Sequence, residues 1–213
     1  MIDLATLDAL YALKDLKRAG WLIRGVSDPE SVSDHSWGTA LLCLLYAVRA
    51  GVESDRAVAM ALVHDIAEAL TGDVAARVDP RDRTVSLQQK QADERAAIER
   101  LFPAGQNRTA AEPATAAGSE ASVAPDSIRE LWQEYEAAVT PEARFVRDMN
   151  LIDMCLQALR YQRCRRYDSL AGYPGSGGFE RLDEFFATAE PRLSTQTGRE
   201  LYRPIYAEYL KQH

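Results

Sequence analysis

Apolar residues recur along this chain at intervals of three and four, and no convincing run alternates with a period of two, so the pattern predicts helices. Leu4, Leu7, Leu10, Tyr11 and Leu13 form one such stripe and predict an amphipathic helix over residues 3–19, stopped by Gly20. Beyond Trp21-Leu22-Ile23-Arg24-Gly25-Val26 lies a turn-rich connection, Ser27-Asp28-Pro29-Glu30-Ser31. Ser33 or Asp34 can cap a second helix that runs through Leu41, Leu42, Leu44, Leu45 and Val48 to Gly51. That helix is apolar nearly all round, which predicts a central position. Ser54 or Asp55 can cap a third, ending near Gly72, in which Val58, Ala59, Leu62, Val63, Ile66 and Leu70 keep helical spacing.

Residues 74–84 are polar and irregular, and a charged helix follows from about Val85 to Phe102. Residues 103–125 are Ala, Ser, Thr, Gly and Pro with little to bury, which reads as a flexible insertion. Asp126 can cap a helix through Leu131, Trp132 and Tyr135. Thr140-Pro141 then supplies a cap and a first-turn proline for a helix to about Arg166, with Phe145, Met149, Ile152, Leu156 and Leu159 on one stripe. Gly172 to Gly178 read as a loop, and helical patterns at about 179–189 and 196–212 close the chain. There is no internal repeat. The expectation is an all-α fold, one domain over residues 1–213.

Composition narrows the function classes. With 46% hydrophobic and 27% charged residues the chain reads as an ordinary globular protein. A net charge of −7 argues against binding a nucleic-acid polymer, which needs a positive surface, but leaves room for a nucleotide in a local cationic pocket. Cys43, Cys155 and Cys164 form no spaced framework and read as reduced core thiols. No stretch reaches membrane-spanning length, so no membrane partner is expected and the cytoplasm is the default location.

Chemistry concentrates in His64-Asp65-Ile66-Ala67-Glu68, where an imidazole and a carboxylate sit side by side with a second carboxylate one turn on. Burying such a pair alone is costly, so a bound cation is the expected partner. Of three histidines, His213 is the last residue, which leaves His35 as the obvious companion of His64. His64 and Asp65 would be about 100° apart on a regular helix and can still converge on one ion, because their reach differs. Mixed imidazole and carboxylate ligands favour one divalent transition metal (Mn, Co, Fe, Ni or Zn) over Mg or Ca. Such an ion lowers the pKa of water, which suits hydrolysis of a phosphate ester.

The order of several separate words carries a family resemblance. Trp21 to Val26, Glu30-Ser31-Val32-Ser33-Asp34-His35-Ser36-Trp37, His64 to Ala69, Thr71-Gly72-Asp73, Leu131 to Glu136 and Glu142 to Val146 together resemble the HD-domain metal-dependent phosphohydrolases. More narrowly they look like the bacterial 5′-deoxynucleotidases and their eukaryotic HD-domain-containing relatives. The resemblance covers about residues 5–165, apart from the insertion. It implies a helical fold holding one divalent metal through His35, His64, Asp65 and a distal Asp, and it implies a homodimer, for which the apolar final helices offer a surface. Phe145-Val146-Arg147-Asp148-Met149 matches the words before that distal Asp, but Asn150 stands in its place. A carboxamide oxygen can ligate without bringing charge. Asp153, one turn on, is placed to compensate directly or through water, whereas Asp148 is about 200° away around the helix.

The resemblance also implies roles for the remaining polar residues. Glu68 would orient or deprotonate the attacking water; its alternative is a solvated helix carboxylate. Asp73 would sit near the sugar and leaving oxygen; its alternative is a turn aspartate. Arg24 would bind phosphate through paired hydrogen bonds, or else is a surface arginine without a role. Trp21 would wall the sugar or base pocket, or serve in the core or an interface. Trp37 and Trp132 read as structural, Arg77 and Lys90 as additional phosphate contacts, and Arg160, Arg163, Arg165 and Arg166 as a solvated helix end. The activity implied is removal of the 5′-phosphate from (deoxy)nucleoside 5′-monophosphates. Two alternatives stay open: hydrolysis of a deoxynucleoside triphosphate or a phosphodiester at the same centre, and a nucleotide-binding protein weakened in catalysis by Asn150.

Overall fold

The computed structural model describes residues 2–104, 125–167 and 181–212. The expected insertion lies mostly outside these residues, and so does the Gly172–Gly178 loop. The described residues form helices α1 (Leu4–Tyr11), α2 (Ala19–Ile23), α3 (Val32–Ala50), α4 (Ser54–Val63), α5 (Glu68–Thr71), α6 (Leu87–Leu101), α7 (Pro125–Ala137), α8 (Pro141–Cys164), α9 (Asp183–Ala189) and α10 (Gln196–Leu210). Among them the sole strand-like feature is an isolated bridge between Lys17 and Ser31. The all-α expectation holds.

Helix ends follow local chemistry, though not always at the expected residue. The Ser31 hydroxyl accepts from the Asp34 amide and the Asp34 carboxylate accepts from the Ser31 amide, a reciprocal capping box that starts α3 before Ser33. Gly51, at φ 71°, closes it in the left-handed region that glycine enters without penalty. Thr140 caps α8 with Pro141 in its first turn, as the sequence implies. Because α7 begins at Pro125, Asp126 lies inside that helix instead of capping it. The first stripe breaks early: α1 ends at Tyr11, and a 3₁₀ turn leads into extended chain that pairs with residues 30–32. Gly20 therefore stops nothing. It lies inside α2, where an added Cβ would come 3.2 Å from the Phe185 ring.

Helices α3 and α8 pack on each other at the centre, with α4 across both, α10 and α9 on α8, and α7 against α4 and α8. Phe145, Met149 and Ile152 of the α8 stripe are fully buried, while Leu156 reaches the surface. A smaller cluster of Ala67, Ala97, Ile98, Leu101, Phe102 and Trp132 ties α5 and α6 to α7. α3 is central but not covered all round. Trp37, Leu41, Leu44 and Val48, spaced by four, three and four, line an open face, and Leu45 lies beside them. Trp37 is 66% exposed, so of the two tryptophans read as structural, Trp132 alone is in a core. Cys43 and Cys155 are buried as expected, but Cys164 is exposed.

Candidate metal centre

Two histidines meet where α3 begins and α4 ends. The capping box fixes the first turn of α3, and His35 follows it with no exposed surface. The other imidazole comes from an unexpected break. Instead of one helix to Gly72, α4 stops at Val63, residues 64–67 form turns, and α5 begins at Glu68. The ring centroids of His35 and His64 are 5.3 Å apart. Asp65 Oδ2 lies 3.1 Å from His64 Nε2 and 3.8 Å from His35 Nε2. Three ligand atoms, one from each residue, fall within 4.8 Å of one another.

Each ring is held by its other nitrogen. His35 Nδ1 is 2.7 Å from Asp153 Oδ2, and His64 Nδ1 is 2.7 Å from the Ala61 carbonyl oxygen. With the protons on Nδ1, both rings donate there, and both Nε2 atoms present lone pairs toward Asp65. Neither Nε2 has a hydrogen-bond partner, although both are buried. Two orphaned buried nitrogens and an acidic oxygen at this spacing fit a divalent ion, and Nδ1 fastening of this type fixes the ligating tautomer. The protonation states agree. Burial lowers the pKa of His35 to about 3, with Arg18 acting in the same sense, so its ring is neutral. Burial opposes ionisation of Asp65, but the charged neighbours of the site, among them the Arg18 guanidinium 3.3 Å away, hold the carboxyl well below its usual range. A second acidic group, Glu30, His35 and Asp153, is also close enough to hold an ion. It would use the His35 nitrogen already engaged by Asp153, and Glu30 is engaged by the Trp21 indole at 2.8 Å.

The Asp153 contact depends on an absent side chain. A Cβ on Gly38, one turn after His35, would lie 2.0 Å from Asp153 Oδ1. Asp153 thus compensates in a way the sequence did not specify, as a fastener of the ligand His35. Burial raises its carboxyl pKa to about 7. Asn150 lies on the same helix and lines the cleft in front of the pair. Its Nδ2 donates to the Tyr135 hydroxyl at 2.7 Å, and the Tyr135 ring is 5.1 Å from that of His64. Asp148 points away, as helical geometry requires, and accepts hydrogen bonds from Ser194 and Thr195.

The remaining residues divide between the cleft and its supports. Glu68 lines the cleft and is 2% exposed, which sets aside the solvated alternative. Burial first, then Asp65 and Asp73, raise its pKa well above the carboxylate norm. Gly72, at φ 74° and ψ 164°, turns the chain in a conformation that side chains resist. Asp73 then faces back, accepting from the Ala19 amide at 2.5 Å, with Arg18 at 3.7 Å. Trp21 is buried, stacked on Phe185 with centroids 3.9 Å apart, and still forms part of the cleft wall. Arg24 departs from expectation: it is buried in an ion pair with Glu184 and is not among the cleft residues. Arg77 and Lys90 do line the cleft, paired with Glu184 and Glu94. Of the arginine cluster, Arg163 pairs with half-buried Glu208 and Arg166 binds the Ser27 and Asp28 carbonyls, so it ties surface elements together. The guanidinium beside the ligand carboxylate is Arg18, 3.3 Å from Asp65 Oδ2. Sequence reasoning missed it, along with Tyr135 and Arg192 at the same cleft. Arg18 and Arg24 flank the same short helix, and no spacing rule says which one the turn aims inward.

Known proteins resemble this chain in sequence and in fold. A 5′-deoxynucleotidase HDDC2 from Xenopus laevis is 32% identical over 200 residues, 92% of this chain and 82% of that protein. A 5′-deoxynucleotidase hdd1 from Schizosaccharomyces pombe is 34% identical over 161 residues, covering 74% of this chain and 71% of its own. The crystal structure of the PH0347 protein from Pyrococcus horikoshii superposes with a TM-score of 0.66 at 26% identity, over 99% of this chain and 100% of that one. A predicted metal-dependent phosphohydrolase from Magnetospirillum magnetotacticum has the same fold at 24% identity and a TM-score of 0.63, covering 100% and 97%. The family model for the HD domain matches residues 10–171, which spans the two histidines, Asp65 and α8, and the chain belongs to the HD-domain family.

Proposed function

We propose that this protein is a divalent-metal-dependent phosphohydrolase that removes the 5′-phosphate from nucleoside 5′-monophosphates, with a preference for 2′-deoxy sugars. The observation that carries the reading is the pair of buried, partnerless Nε2 atoms facing Asp65, where His64 and Asp65 line an open cleft. The names of the sequence relatives support the substrate class. His35, His64 and Asp65 would hold the ion, with Asn150 beside the shell as a neutral fourth member. When bound, such an ion makes water more acidic and draws charge from the phosphate. Manganese or cobalt is the metal of this reading.

The chain's own groups do the rest. Arg18, in place of Arg24, faces the phosphate. Glu68 sits one turn beyond the ligands, buried in the cleft wall, where it is placed to take a proton from the attacking water. As that oxygen bonds to phosphorus, the bond from phosphorus to the 5′-oxygen breaks, the leaving oxygen takes up a proton, and nucleoside and inorganic phosphate result. Asp73, fixed by the Ala19 amide, stands at the sugar end. The reading also includes a cytoplasmic homodimer. Tyr202 and Tyr209 of the last helix are buried, so the dimer surface of this reading is the open α3 stripe instead.

Release of inorganic phosphate from a panel of deoxynucleoside monophosphates with manganese or cobalt tests the proposal. Tripolyphosphate from a deoxynucleoside triphosphate would overturn it. Asn150 favours a second reading, a nucleotide-binding protein without turnover. That reading wins if the protein and its Asn150→Asp variant are both inert with every divalent metal across the panel.

A further inference from the structure

Five cationic side chains line the cleft, and four are matched by carboxylates. Arg18 has Asp65 and Asp73, Arg77 has Glu184 and Asp82, Lys90 has Glu94 and Glu68, and Arg147 has Glu136. Arg192 is different. Among the described residues no carboxylate pairs with it and no group hydrogen-bonds to it. Its electrostatic neighbours are the Tyr135 phenol and two like charges, Arg147 and Arg83. Tyr135 also takes the hydrogen bond from Asn150, so the neighbouring α8 residue that would have matched a cation is a neutral carboxamide.

The backbone that carries it is anchored. Arg192 ends a 3₁₀ turn, Glu190–Arg192, and the residues after it are clamped to α8. Ser194 and Thr195 donate their amides to buried Asp148 at 3.0 and 2.8 Å, and the Thr195 hydroxyl adds a contact at 2.7 Å. Asp148 stands two residues before Asn150. One helix therefore fixes both the carboxamide in the cleft and the turn that delivers the guanidinium. Arg192 is exposed at the cleft and has no carboxylate partner, so its guanidinium is available to an anion that enters.

We propose that Arg192 is a second phosphate-binding residue, contacting the non-bridging oxygens of the substrate's phosphate from the α8–α9 side while Arg18 approaches from the α2 side. The proposal rests on the phosphohydrolase reading above. Arg18 alone is a poor sole counter-charge, because two carboxylates already neutralise it and one of them is a metal ligand. The cation without a carboxylate is the one free to meet a dianion, and a guanidinium meets phosphate through paired hydrogen bonds.

The test compares manganese-loaded wild type with Arg192→Gln and Arg192→Lys. Inorganic phosphate is titrated by calorimetry, and KM and kcat are measured on a deoxynucleoside monophosphate. The expected result is a roughly tenfold or greater weakening of phosphate binding and a matching rise in KM for Arg192→Gln, from loss of a charge-assisted contact. kcat should change less, Arg192→Lys should recover part of the affinity, and metal content and melting temperature should stay as in wild type. Phosphate affinity unchanged within about twofold, or a fall in kcat at constant KM, would overturn it. If wild type hydrolyses no monophosphate yet binds phosphate through Arg192, the clamp stands and the monophosphatase reading falls. If phosphate binding ignores Arg192, the clamp falls whatever the activity.

Discussion

The two imidazoles at the centre of this molecule are fastened by opposite means. His64 is secured within its own helix end, by a carbonyl three residues back. His35 is secured from across the fold, by a carboxylate 118 residues away on α8 that reaches it over a glycine. The first arrangement needs little more than the last turn of α4. The second needs α3 and α8 docked in register, Gly38 bare and Asp153 buried. One ligand is therefore as robust as a helix terminus, and the other is as robust as the packing of the core.

That contrast can be broken most sharply at the ligands. His64→Ala or Asp65→Ala should abolish metal binding by elemental analysis while circular dichroism retains nearly full helicity, because the apolar stripe of α4 still packs. A full equivalent of metal in either variant would contradict the ligand assignment. Next in size is Gly38→Ala. The new methyl would occupy the space of Asp153 Oδ1, so His35 loses its fastener and manganese affinity should fall by about 100-fold, the upper end of the range for supporting residues. Asp153→Asn keeps the volume and a weaker acceptor, and a loss of about tenfold is expected by the same titration. Equal losses from both substitutions would mean that charge, not position, is what Asp153 supplies. Asn150→Asp works in the other direction, adding a charge beside the shell, and should leave or raise turnover with manganese or cobalt. The smallest effect belongs to the opposite face of α3. Leu44→Ser on the open stripe should leave the unfolding free energy of the dissociated monomer within about 0.5 kcal/mol of wild type in urea, since no described residue covers it, and should weaken the proposed dimer by sedimentation.

Much of the architecture was legible because it depends on local rules. The 3.6-residue period marked most of the helices, and Thr140-Pro141 and Gly51 marked ends that depend only on neighbours. Errors came where distant chain intervened. Residues 15–18 leave the first helix to pair with residues 30–32, and α4 breaks at His64 in spite of an unbroken apolar stripe. The Trp37-Leu41-Leu44-Val48 stripe shows why pattern alone misleads: it has the spacing of a buried face and is open.

The site divides along the same line. His35, His64 and Asp65 could be named from donor chemistry and scarcity, since three histidines leave few combinations. The parts that position and complement them could not. Arg18 and Arg24 are equivalent in sequence, yet Glu184, from the other end of the chain, buries Arg24 and leaves Arg18 to the cleft. Asp153 looked like a spare ligand to replace a missing carboxylate. Its register on α8 instead brings it to the far nitrogen of His35, a distinction that rests on less than one helical turn.

The bare α-carbon at position 38 has a consequence for how this chain can change. Any methyl introduced there must be accommodated by shortening or removing the acid opposite, and removing that acid lets the imidazole rotate. Positions 35, 38 and 153 therefore form one unit of substitution. A viable descendant with a side chain at 38 would have to find another anchor for the α3 imidazole in the same step.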